Sequence, residues 1–60
     1  MTDRDRLRRY FENSFEQECF TVKWHGDQMT VTDSQDESLT FCIQADRIYN
    51  VTEHKYEIEL

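Results

Sequence analysis

Residues 20–32 read FTVKWHGDQMTVT, two alternating apolar and polar runs that meet at the only glycine in the chain. Alternation with period two puts Phe20, Val22 and Trp24 on one side of an extended strand and Met29 and Val31 on one side of the next. Glycine adopts the positive φ that a two-residue hairpin turn requires, so Gly26-Asp27 is predicted as the turn. That turn sets His25 opposite Gln28, Trp24 opposite Met29 and Val22 opposite Val31. The turn chemistry and the apolar pattern select the same register.

On either side of this hairpin the pattern differs. Leu7, Phe11 and Phe15 recur at intervals of four, with Tyr10 and Ser14 widening the same side. This spacing predicts an amphipathic helix over about residues 3–18, capped by Thr2 or Asp3 and ending near Cys19. After the hairpin (strands about 20–24 and 28–33) comes the polar, acidic loop Asp33 to Ser38. Leu39, Phe41 and Ile43 then alternate in a third strand over about 39–44. Ala45-Asp46 is expected to turn the chain into a strand over about 48–52, and Glu53-His54 into a last one over about 55–60. A helix over residues 46–57 is the competing reading, but no helical face gathers Tyr56, Ile58 and Leu60 as well as an alternating strand does.

These elements predict one small α+β domain spanning residues 1–60: an N-terminal amphipathic helix packed on an antiparallel meander of four to five short strands. TVKWHGDQMTV resembles the first hairpin of Sm-like barrels, and FCIQADRIYNV a later strand, turn and strand of that family. The resemblance covers about half the chain and includes no family-specific motif, so it implies a small-barrel variant of the same outline without assigning a family. Sixty residues bury only about 60% of the surface an unfolded chain exposes. Self-association is therefore expected to complete the burial, with Trp24, Phe41 or Tyr10 contributing to a shared apolar face.

Catalytic and cofactor chemistry finds little purchase. Cys19, His25, Cys42 and His54 are enough ligands for zinc, but they lack the close pairs through which a turn presents two ligands at once. Neither histidine has a neighbour placed to orient it beside a nucleophile. A phosphate-cradling loop needs several glycines, and this chain has one. The chain is expected to be non-enzymatic and to hold no cofactor. No signal-peptide pattern and no apolar run approaching ~18 residues is present, so a cytoplasmic protein with two free thiols and no membrane contact is expected. Asn50-Val51-Thr52 matches a glycosylation pattern by chance, since that pattern acts only in the secretory pathway.

Charge is the remaining feature. Seven cationic residues face thirteen acidic ones, a formal net charge of −6. Four of the cations, Arg4, Arg6, Arg8 and Arg9, fall within the first ten residues beside Asp3 and Asp5. At about 100° per residue Arg4 and Arg8 flank the apolar stripe while Arg6 and Arg9 point away. A duplex-binding helix would gather its cations on one side, so nucleic acid is not the expected partner. Nor do arginines suit a helix N-terminus, whose dipole favours anions. They are expected to pair within the chain, through Asp5 with Arg8 and Arg9, Arg8 with Glu12, or Arg4 and Arg8 lying across the acidic remainder. The expected function is a small acidic protein-binding or regulatory module whose partner is another protein, a basic one. Candidate contact residues are Arg4, Arg8, Glu12, Glu16, Asp33, Asp36 and Glu37. Two alternatives share the composition: a nucleic-acid mimic that occupies the groove of a DNA- or RNA-binding protein, and a small-barrel RNA binder that uses the arginines with Tyr10 or Tyr49 for stacking.

Overall fold

The computed structural model describes residues 2–59, with side chains described as far as Glu57. One helix, α1 (Asp3–Ser14), precedes five strands: β1 (Thr21–His25), β2 (Gln28–Thr32), β3 (Ser38–Gln44), β4 (Arg47–Asn50) and β5 (Lys55–Glu59). The strands form one antiparallel sheet in the order β1-β2-β3-β4-β5. The expected α+β class is what the chain adopts. No helix occupies residues 46–57, and Leu60, at the end of the expected last strand, lies outside the described residues.

Thr2 opens α1 with a capping box, in which its hydroxyl accepts from the Asp5 amide at 3.2 Å and the Asp5 carboxylate accepts from the Thr2 amide at 3.3 Å. Two otherwise unpaired groups are satisfied at once. The helix stops four residues short of the expected residue 18. Phe15 already has extended backbone (φ −127°, ψ 147°), although its amide still donates to the Phe11 carbonyl at 3.0 Å. Two causes act together. Asn13 and Ser14 are weak helix formers, and leaving the helix lets the Phe15 ring meet Tyr10, Phe11, Phe20 and Phe41 at centroid distances of 6.0, 5.6, 5.1 and 6.1 Å.

The first hairpin has the expected register, with Val22 opposite Val31, Trp24 opposite Met29 and His25 opposite Gln28. Gly26 sits at φ +61°. Ala45 and Asp46 turn β3 into β4 with φ of 52° and 59°, the double left-handed geometry of a two-residue hairpin. The last turn is longer than the expected Glu53-His54, because β4 ends at Asn50 and residues 51–54 form the connection. There the Val51 amide donates to the Thr40 carbonyl at 2.8 Å, and the Thr40 amide to the Thr52 hydroxyl at 2.9 Å.

The sheet does not close into a barrel: β1 and β5 remain its two edges. The helix occupies the face that a barrel would have turned inward. Leu7 and Phe11 of α1 meet Met29, Val31, Phe41 and Ile48 of the sheet in one buried cluster. Full burial of such side chains contributes about 1.5–3 kcal/mol each. Phe41 is 1% exposed, which removes it from the surface residues expected to drive self-association. Trp24 and Tyr10 are half-buried against the same cluster. The opposite face is uncovered and polar. It carries hydroxyl pairs between Thr30 and Thr40 (3.1 Å) and between Thr32 and Ser38 (2.8 Å), and the edge-to-face pair Tyr49–Tyr56 (5.0 Å).

Candidate partner-binding site

A meander puts alternate connections at opposite ends of its sheet. Turns 26–27 and 45–46 share one end, and loops 33–37 and 51–54 share the other. The helix runs from the first end, where Arg4 reaches Gly26, to the second, where Phe15 meets Phe20. At the turn end the arginines are engaged. The Nε of Arg4 donates to the Gly26 carbonyl at 3.0 Å, and its guanidinium lies 5.1 Å from the centre of the Trp24 ring. Arg6 pairs with Asp46 at 3.4 Å. Arg6 is one of the two arginines the helical wheel turned away from the apolar stripe, yet the 45–46 turn comes up beside it. Arg8 and Arg9 are exposed, and among the described residues no ion pair joins them to Asp5 or joins Arg8 to Glu12.

At the loop end Phe15, Phe20, Val31 and Leu39 form the apolar floor of a cavity of about 500 Å³, and Asp33, Glu37, Ser38 and Glu53 form its polar rim. Asp33 is the organiser of the 33–37 loop. Its Oδ1 accepts from the Gln35 and Glu37 amides at 2.8 and 3.0 Å, and its amide donates to the Glu37 carbonyl at 2.9 Å. An Asp side chain bonded to nearby amides in this way stabilises a turn against extended alternatives. Asp36, at φ 63°, completes that turn and does not line the cavity.

Glu53 is fixed from behind by Asn50, the one fully buried polar residue among those described. The Asn50 Nδ2 donates to Glu53 Oε1 at 3.1 Å and to Glu57 Oε1 at 3.0 Å, and its Oδ1 accepts from the Glu53 amide at 2.9 Å. Lys55 adds its Nζ at 3.4 Å from Glu53 and 3.9 Å from Glu57. Glu53 is thus partly neutralised. Asp33 and Glu37 have no cationic partner among the described residues, and no cationic side chain lines the cavity.

Of the seven candidate contact residues, the fold brings Asp33 and Glu37 together in this cavity. Glu12 is exposed on α1, Glu16 is exposed just beyond it, and Arg4 and Arg8 lie on α1. Phe15 and Phe20, from the connection between α1 and β1, and Glu53, from the 51–54 loop, complete the cavity; their residue types were legible in the sequence, but their meeting was not. The two tyrosines expected to stack beside the arginines lie apart on the sheet's two sides. Tyr10 packs edge-to-face on Phe41 at 5.4 Å within the helix side, whereas Tyr49 lies on the uncovered face.

The thiols are free. A hydrogen bond from Cys19 to Glu16 at 3.5 Å raises its pKa, and desolvation raises that of Cys42. Both shifts lower the thiolate fraction on which cysteine reactivity depends. Among the described residues no group of three or more His, Cys, Asp or Glu side chains could hold a metal ion, and no helix is long and apolar enough to cross a membrane. No model of a known protein family matches the chain, nor does any curated protein or solved structure.

Proposed function

We propose that the chain is a non-enzymatic protein-binding module that captures a basic segment of another protein in the cytoplasm. The observation that supports this reading is the cavity at the loop end, where an apolar floor lies beneath Asp33 and Glu37, carboxylates without cationic partners among the described residues. A cationic segment gains there on two counts: its charge meets the acidic rim, and the aliphatic stems of its side chains cover the phenylalanines. The net charge of −6 accelerates the encounter. The free thiols suit a reducing compartment.

Fluorescence anisotropy with a labelled basic dodecapeptide and a labelled single-stranded oligonucleotide, each at 50 and 300 mM salt, tests the reading. Saturable binding of the peptide that weakens in salt, without binding of the oligonucleotide, is the expected result. The reverse preference would favour an RNA binder and overturn the proposal. Self-association belongs to the same reading, because β1 has a strand neighbour on one side only and such an edge is open to pairing. Sedimentation at micromolar protein should show a dimer, and a monomer at 7.4 kDa would remove that part.

A further inference from the structure

We infer that the cavity is an arginine receptor: it takes one arginine side chain of the partner, with the guanidinium stacked on the Phe15–Phe20 pair and hydrogen-bonded to Asp33 and Glu37. This rests on the reading of the chain as a binder of basic protein segments and names the residue that anchors it.

Three features select arginine among cations. The floor is partly aromatic. Phe15 and Phe20 meet edge-to-face at 71° with centroids 5.1 Å apart, and both line the cavity. A planar, weakly hydrated guanidinium stacks on such a surface, whereas a compact ammonium keeps its water.

The rim offers acceptors, and the cation beside it, Lys55, is paired with Glu53. Asp33 uses Oδ1 for the loop amides, which leaves Oδ2 without a described hydrogen-bond donor, and the Glu37 carboxylate has no described donor either. Two carboxylates on one side match the several N–H groups of a guanidinium fork better than the single point charge of lysine. The third carboxylate, Glu53, is held by Asn50 and Lys55, so it contributes field without demanding a partner.

The chain also meets the same requirement within itself. Arg4 lies over Trp24 while donating to the Gly26 carbonyl, and Arg47 lies 5.4 Å from the centre of the Tyr56 ring. At both places a guanidinium covers an aromatic ring at the edge of the fold. The loop end has the rings and the acceptors, and no described cation lines the cavity there. A volume of about 500 Å³ falls within the range of about 300–1,000 Å³ typical of ligand cavities.

The test is a ¹⁵N–¹H NMR titration of the full chain with three capped heptapeptides, Gly-Ser-Gly-X-Gly-Ser-Gly, in which X is arginine, lysine or citrulline, the neutral isostere of arginine. A polybasic dodecapeptide is titrated in parallel. The arginine peptide should move the amides of Phe20, Ser38, Leu39 and Glu53, lysine should bind several-fold more weakly, and citrulline should move none of them. Asp33→Asn with Glu37→Gln keeps the Oδ1 acceptor of the loop and should weaken arginine binding about tenfold. Glu37→Gln alone, at an exposed side chain that supports no other contact, should weaken it about threefold. Asp27→Asn with Asp46→Asn changes net charge equally at the opposite end of the sheet and should leave binding within about twofold.

Equal weakening by the two double variants would mean a general acidic field and overturn the cavity. Equal binding of lysine and arginine would overturn the arginine preference. Polybasic binding with amide shifts confined to another surface would overturn this inference and leave the broader reading standing. Absence of binding by both the arginine and the polybasic peptides would overturn both.

Discussion

At the turn end of the sheet two arginines of α1 are held by the chain's own groups, Arg4 by the Gly26 carbonyl and the Trp24 ring and Arg6 by Asp46. At the loop end Asp33 and Glu37 stand on the cavity rim with no described cation beside them. The contrast explains how a helix tolerates cations at the terminus where its dipole disfavours them. The dipole cost is a few tenths of a kcal/mol, and a guanidinium that reaches a turn carbonyl and an aromatic face offsets it. The charge is divided along the chain as well: the first ten residues carry +2, from four arginines against Asp3 and Asp5, and residues 11–60 carry −8, which together make the net −6. One end is closed electrostatically by the fold and the other is left open.

The largest expected effect breaks the loop end from within. Asn50→Asp replaces a buried donor with a carboxylate aimed at Glu53 and Glu57, and stability in urea titrations should fall by at least about 3 kcal/mol. A variant of unchanged stability at neutral pH would mean that Asn50 does not organise this end. Next comes the turn end, where nothing lies within 4 Å of a β-carbon added at Gly26 and only its φ of +61° resists substitution. Gly26→Val should cost on the order of 1–2 kcal/mol by thermal melting, while Asp27→Asn should be almost silent. Equal tolerance of the two changes would contradict the turn.

Arg4→Gln with Arg6→Gln should lower stability by about 1 kcal/mol, with part of the loss disappearing in added salt. Arg8→Gln should have almost no effect, and neither should Glu37→Gln at the other end. If Glu37→Gln destabilised as much as the arginine pair, the loop end would be as closed as the turn end. The smallest effect is a pH dependence. Hydrogen bonds from the Thr2 backbone, and then from its side chain, lower the Asp5 pKa from 3.8. The ionised form therefore favours the fold. Its contribution is present above the unfolded value and is lost as pH falls through the lower folded one. Below pH 4, helical circular dichroism of the native chain should decline more than that of Asp5→Asn, which lacks this titration. Parallel acid curves for the two proteins would remove the capping box as the cause.

Several of these features were legible in the residues themselves. The register of the first hairpin follows from a positive-φ turn placed between two alternating runs, both local properties. The α+β class follows from the change of apolar period after residue 19. The expected helix end failed because the spacing of Leu7, Phe11 and Phe15 continues through Phe15, while the packing of that ring on Phe20 and Phe41 requires the backbone to leave the helix first. The barrel failed for a related reason: a short chain whose helix already covers the apolar face has nothing more to gain by bringing β1 to β5. Asn50 carries no sequence signal beyond a polar residue in an apolar phase, since its role depends on two glutamates that a longer loop and a register shift between Ile48 and Tyr49 bring to it.

The amino-acid sequence alone determined the amphipathic helix, the turn at Gly26, the alternation of the strands and the segregation of charge, because each depends on residues within a few positions of one another. The tertiary structure decided which arginines are engaged and where the acidic cavity forms. Arg4 and Arg6 meet residues 22 and 40 positions away, and the cavity joins the helix exit, the 33–37 loop and the 51–54 loop. Such distances in the chain are closed only when the helix lies along the meander, so the open and closed ends of the charge distribution come into being with the packing itself.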